Sequence, residues 1–167
     1  YTNRFILNHN IIYNKPGIER LPNAENERLY GPLVNPNVYN LCIIGNIIPL
    51  KGHSVLFEAL EILSDYDFNC FVIGSGTQRE IKILKDKLSR QNIKDKIIFE
   101  GYLTFPFQIL GMCDFLVSAS SREANSRVIQ ESYLCNKPVI ATKVGGQTEL
   151  VKHGITGWLV KPNSPKS

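Results

Sequence analysis

Leu41-Cys42-Ile43-Ile44-Gly45-Asn46-Ile47-Ile48-Pro49-Leu50-Lys51-Gly52 is a short apolar run that breaks into a glycine- and proline-marked loop. The residues that follow, 53–64, place Val55, Leu56, Ala59, Leu60 and Leu63 on one helical stripe. A strand, a loop and an amphipathic helix in that order make a βα unit. The same texture recurs downstream. Apolar runs at residues 70–73, 97–99, 115–117, 139–141 and 158–160 are interleaved with amphipathic stretches at 78–90 and 126–134. Runs without polar alternation suit parallel strands covered on both faces. The chain is therefore expected to form an α/β, doubly wound parallel sheet of the Rossmann-like kind.

The remaining sequence frames this unit. Residues 1–38 are rich in Asn, Pro and Gly and show no sustained period, so they read as a linker; residues 39–161 read as the Rossmann-like domain and 162–167 as a truncated tail. The chain starts at Tyr1 and its only methionine is Met112, which suggests a domain excised from a longer protein. The 167 residues are 43% hydrophobic and 20% charged, a balance that excludes disordered and collagen-like chains. Its 19 basic and 15 acidic residues leave a mild +4, too little to argue for nucleic acid. That charge is compatible with an anionic small molecule or with loose attachment to an acidic membrane surface. Cys42, Cys70, Cys113 and Cys135 lie far apart with no CxxC or metal-ligand spacing. They read as buried thiols of a cytoplasmic protein, with no metal expected.

Open α/β sheets bind ligands beyond the carboxyl ends of their strands, where loops lead onto helix N-termini. The loop at residues 45–52 offers Gly45 for close backbone approach and Lys51 as a point charge beside a helix N-terminus. That is a phosphate cradle, although the same residues also make a plain βα turn with a solvated lysine. It is not a P-loop, since GxxxxGK[ST] is absent. Gly74-Ser75-Gly76-Thr77-Gln78-Arg79 resembles half of a dinucleotide fingerprint, but it follows the second strand and carries Arg79 where the third glycine belongs. A turn with a helix cap also explains it, with Arg79 as a candidate phosphate contact.

The loop after residues 115–117 carries the strongest signal. Glu123 falls in the loop at the sheet rim, and Glu131 lies about two turns into the next helix. Two carboxylates facing one cleft accept hydrogen bonds from several hydroxyls, as sugar and ribose recognition requires. Free backbone N–H groups near residues 125–127 suit an anionic phosphate. The plainer alternative is a first-turn acid and a solvated helix glutamate. Finally, residues 136–151 read as a buried strand, a turn at Gly145-Gly146 and a short helix that packs and closes the ligand loop.

Together these segments resemble the nucleotide-sugar-binding C-terminal domain of the retaining group 1 glycosyltransferases with the GT-B fold. The resemblance covers about residues 40–161. It rests on the Glu-x7-Glu spacing from Glu123 to Glu131, on Asn136-Lys137-Pro138-Val139-Ile140-Ala141-Thr142, on Val144-Gly145-Gly146, and on Gly154-Ile155-Thr156-Gly157-Trp158-Leu159-Val160. It implies that Lys51 contacts the diphosphate and supports the leaving group, that Glu131 holds the ribose hydroxyls, and that Glu123 lies near the transferred sugar. Ala124, Asn125 and Ser126 then offer backbone N–H groups to sugar and phosphate, while Gly101 and Tyr102 stand near the base.

Two positions depart from the family. Asn46 stands where arginine is usual, and asparagine cannot supply a charged, bidentate phosphate clamp. The lost charge-assisted bond, about 1.5–3 kcal/mol, needs a substitute from Arg127, Arg122 or Arg79. The glycine-rich run after the first glutamate is replaced by Ala124-Asn125-Ser126, which leaves less room beside the sugar.

The resemblance implies transfer of a sugar, with retention, from a nucleoside diphosphate sugar to a saccharide or lipid-linked acceptor held by an N-terminal domain. A UDP-sugar is the preferred donor, by analogy alone. No cofactor or metal is required, and the isolated fragment is expected to be inactive. Peripheral contact with the inner face of a membrane fits the same family. Three alternatives remain open at this point: an epimerase relative acting on nucleotide sugars, a non-catalytic nucleotide-sugar-binding module, and an NAD-dependent enzyme. The last lacks GxGxxG in the first βα loop.

Overall fold

The structure is a computed structural model that describes residues 38–167. The linker expected over residues 1–38 lies, apart from Val38, outside the described residues. Six strands, Tyr39–Ile44 (β1), Phe68–Ile73 (β2), Ile97–Gly101 (β3), Phe115–Ser118 (β4), Val139–Thr142 (β5) and Gly157–Val160 (β6), form one sheet in the order β3-β2-β1-β4-β5-β6. Every pairing is parallel. Each apolar run read from the sequence lies within one of these strands.

Parallel strands alternate their side chains between two faces, and here both faces are apolar. Leu41, Ile43, Cys70, Val72 and Val117 enter one core. Cys42, Phe71, Ile73, Leu116, Val139 and Ala141 enter the other. Helices His53–Ile62 (α1) and Gln78–Leu88 (α2) cover the first face through Leu56, Phe57, Leu60, Leu84 and Leu88. Helices Phe107–Met112 (α3) and Arg127–Leu134 (α4) cover the second through Ile109, Leu110 and Ile129, and Val151 joins them just after the short helix Gln147–Leu150 (α5). The sheet is doubly wound, as the strand and helix alternation predicts.

Helix α3 has no counterpart in the sequence reading. Six residues are too few to display a 3.6-residue period, and its only sequence marker is Pro106 at the N-cap. By contrast, α2 begins where a capping box dictates. Glu80 N–H donates to Thr77 Oγ1 at 3.2 Å, and Thr77 N–H donates to Glu80 Oε2 at 2.9 Å. The loop before it is bound to the first βα loop, since Ile47 N–H donates to the Ser75 carbonyl at 2.7 Å.

The order of the strands positions the site. The chain runs outward from β1 to β3, then returns to the other side of β1 to lay down β4. The loops after β1 and β4 leave the sheet on either side of that reversal, where open α/β sheets form their ligand crevice.

Candidate functional site

Lys51 ends a short 3-10 turn, Pro49–Lys51, on the β1 side of this crevice. The turn closes at Gly52, whose φ of 72° is left-handed and whose N–H donates to the Pro49 carbonyl at 3.1 Å. A side chain there has no space, because a Cβ on Gly52 would lie 2.1 Å from the Ala119 carbonyl oxygen. The lysine loop is thus pressed against the end of β4. Ser121 N–H donates to the Leu50 carbonyl at 2.9 Å and joins the same two loops.

This contact delivers Lys51 to Glu123. The Lys51 Nζ lies 2.6 Å from Glu123 Oε2, with 30% and 15% of the two side chains exposed. Ser118, Ser120 and Ser126 line the same small cleft. Ser126 is the N-cap of α4 but makes no side-chain cap bond. Among the described residues, no protein acceptor takes the backbone N–H groups of Asn125, Ser126 and Arg127. The crevice therefore combines an ammonium group, a carboxylate and uncapped helix amides, which together can hold an anion beside a hydroxylated group.

The other sequence-derived candidates are distributed around this pair. Gly45 lies beneath the Lys51 side chain, 3.6 Å from its Cδ when a Cβ is placed there. Asn46, Ala124, Asn125 and Arg127 are exposed along the rim. Gln130 Nε2 donates to Asn125 Oδ1 at 2.9 Å, which holds the start of α4. Glu131 is half-buried in α4, and no hydrogen bond or ion pair joins it to Lys51 or Glu123. Its charge reaches the Cys135 thiol, which burial raises first, Lys137 lowers and Glu131 raises again. Arg79 and Arg122 are exposed, Arg79 in the first turn of α2. Gly101 and Tyr102 stand at the carboxyl end of edge strand β3, with Tyr102 72% exposed.

The sequence reading missed two features. One is a polar cluster formed by Ser118, Ser120, Thr142 and Gln147. The other is His53, the first residue of α1, which is 3% exposed with neither ring nitrogen hydrogen-bonded. Burial foremost, and then the Lys51 charge, lower its pKa to about 4.

An unfolded histidine titrates near 6.5, so between these values the unfolded chain binds the additional proton. Stability is complete above the unfolded pKa and falls as pH drops toward the folded one. Between pH 7 and pH 5 this single group is expected to cost about 2 kcal/mol. Denaturant unfolding of the wild type and of His53→Leu at both pH values tests this; equal acid sensitivity in the two proteins would refute it.

Among the described residues there is no group of three or more His, Cys, Asp or Glu able to hold a metal ion. Nor is any helix long and apolar enough to cross a membrane.

Comparison with known proteins places this geometry. Residues 32–167 match the family described as glycosyl transferases group 1. An uncharacterized glycosyltransferase of Methanocaldococcus jannaschii is 35% identical over 137 residues, which are 80% of this chain and 37% of that protein. The crystal structure of Anabaena HepE in complex with UDP-glucose superposes with a TM-score of 0.80 at 28% identity, over 89% of this chain and 42% of that one. The C-terminal domain of a Francisella tularensis group 1 family glycosyl transferase superposes with a TM-score of 0.72 at 26% identity, over 94% of this chain and 80% of that domain. This chain thus spans well under half the length of the M. jannaschii and Anabaena proteins. With its Rossmann-like sheet and its cleft at the strand reversal, the chain belongs to the group 1 glycosyl transferases.

Proposed function

We propose that this chain is the donor-binding half of a retaining glycosyltransferase and that its donor is a UDP-sugar. The observation that carries the reading is the Lys51–Glu123 pair, drawn from two loops that meet at the strand reversal beside an uncapped helix N-terminus. The Anabaena relative seen with UDP-glucose supports the choice of nucleotide.

In the transfer step the bond from the sugar's anomeric carbon to the diphosphate breaks, a bond to an acceptor hydroxyl oxygen forms on the same face, and that hydroxyl's proton passes to the departing phosphate. Negative charge gathers on the departing diphosphate as the sugar becomes oxocarbenium-like. Lys51 and the N-terminal amides of α4 meet that charge, and their effect is greatest once the cleft excludes water. Glu123 bonds a hydroxyl of the transferred sugar, and Glu131 takes the ribose hydroxyls. Arg127, Arg122 or Arg79 supplies the phosphate contact that Asn46 cannot. Tyr102 and Gly101 border the base. The acceptor, a saccharide or lipid-linked glycan, sits on a separate N-terminal domain. The isolated chain therefore binds nucleotide without turnover, and the full-length enzyme works in the cytoplasm at the inner face of the membrane.

Calorimetric titration of this chain with UDP and ADP is the direct test. UDP is expected to bind more tightly, and Glu131→Ala is expected to weaken it roughly tenfold through the loss of a charge-assisted hydrogen bond. Equal affinities for both nucleotides, or an unchanged UDP affinity in the variant, would remove the respective assignment. Anomeric analysis of the product of the full-length enzyme decides retention against inversion.

A further inference from the structure

A glutamine at the start of a short helix ordinarily faces solvent, yet Gln147 is fully buried. Its Nε2 donates to Ser118 Oγ at 2.7 Å, and its Oε1 lies 3.2 Å from Thr142 Oγ1. Thr142 Oγ1 is also within reach of the Ser120 and Ser118 carbonyls, with Ser120 closest. Because a hydroxyl has one proton, Thr142 makes its bond to Ser120 in preference to the others. Gln147 thus ties the first residue of α5 to the carboxyl end of β4 through Ser118, while Thr142 joins the end of β5 to the loop after β4.

The far side of that tie bears on Glu123. Gly146 N–H donates to the Glu123 carbonyl at 3.0 Å. A Cβ on Gly145 would lie 2.0 Å from the Glu123 carbonyl oxygen, and one on Gly146 would lie 2.1 Å from that of Ala124. The turn before α5 thus rests directly on the peptides that carry the site carboxylate. Helix α5 has only four residues and little intrinsic stability, so its position depends on its side-chain anchor.

We propose that Gln147 is a positioning residue for sugar transfer. Its buried amide sets the Gly145-Gly146 turn, which holds Glu123 where Lys51 and the donor sugar meet. This rests on the reading of Glu123 given above. Burying an amide among apolar strands is costly unless its bonds are made, and the benefit here is the fixed geometry of a loop. A displacement on the scale of 1 Å at a reacting group lowers turnover about a hundredfold in other enzymes, so a smaller shift is expected to cost about tenfold.

The test is a cycle in the full-length enzyme with Gln147→Leu, Glu123→Ala and the double variant, with Ser118→Ala as a milder break of the same tie. Gln147→Leu is expected to lower kcat about tenfold with the donor KM within about twofold, and Ser118→Ala to lower kcat severalfold. In the Glu123→Ala background, Gln147→Leu is expected to change kcat less than about twofold, because its effect passes through the carboxylate. An undiminished tenfold loss in that background would make Gln147 merely structural and overturn the inference. So would normal kcat in both single variants of the tie. If Glu123→Ala itself left kcat unchanged, the underlying reading of the site would fail first, a result distinct from either of these. Should Gln147→Leu not fold, Ser118→Ala in the two backgrounds decides by the same criteria.

Discussion

Lys51→Ala is expected to lower the turnover of the full-length enzyme by about 10² to 10³-fold, the scale observed when one preorganised group facing transition-state charge is removed. The ammonium lies 2.6 Å from Glu123 at the crevice, so its removal takes away the cation and also frees the carboxylate to move. Stability should change far less, by about 1 kcal/mol, because both ends of the pair reach solvent. Affinity for the UDP-sugar donor is expected to fall about tenfold, less than kcat, since the diphosphate of the bound donor carries less charge than the one that departs. Lys51→Arg, which keeps the charge, should recover part of the loss. Turnover within threefold of wild type in Lys51→Ala would remove the lysine from the mechanism.

Gly145→Ala is expected to damage both stability and activity. The position has φ of 42°, where an L side chain is strained, and the added Cβ meets the Glu123 carbonyl oxygen at 2.0 Å. Neither atom belongs to a flexible side chain, so one backbone must shift. Strain in left-handed backbone costs about 1–3 kcal/mol, and the overlap adds to it, giving an expected loss near 3 kcal/mol. The shift displaces Glu123, so kcat should fall at least tenfold at temperatures where the variant is folded. Chemical denaturation and steady-state kinetics measure the two effects. A Gly145→Ala protein with wild-type stability would show that the turn yields freely, and the proposed hold on Glu123 would not exist.

Much of the fold was legible because its signal is local. Residues 41–44 and the five later runs are apolar on both faces, and that pattern marks buried parallel strands wherever the chain goes next. Thr77 and Glu80 announce the start of α2 through a bond between near neighbours. Helix α3 escaped because a turn and a half carries no period. Gln147 escaped because its amide reads as surface until its partners Ser118 and Thr142 are known. The burial of His53 escaped because a polar residue at a helix start reads as exposed. Within the site, residue types and spacing pointed to Lys51, Glu123 and Glu131. The structure brings the first two together, while Glu131 shares neither a hydrogen bond nor an ion pair with them.

By itself the sequence determined the alternation of strands and helices, the loops able to bear chemistry, and the family resemblance, all of which depend on neighbours within a few turns. Only the tertiary structure decided that the chain reverses at β1, so that residues 72 positions apart meet across a crevice, and that a buried amide stands behind the loop. The physical reason is that hydrophobic period and capping act between adjacent residues. Strand order, and the steric contact of one loop's backbone with another's, exist only after distant segments have packed.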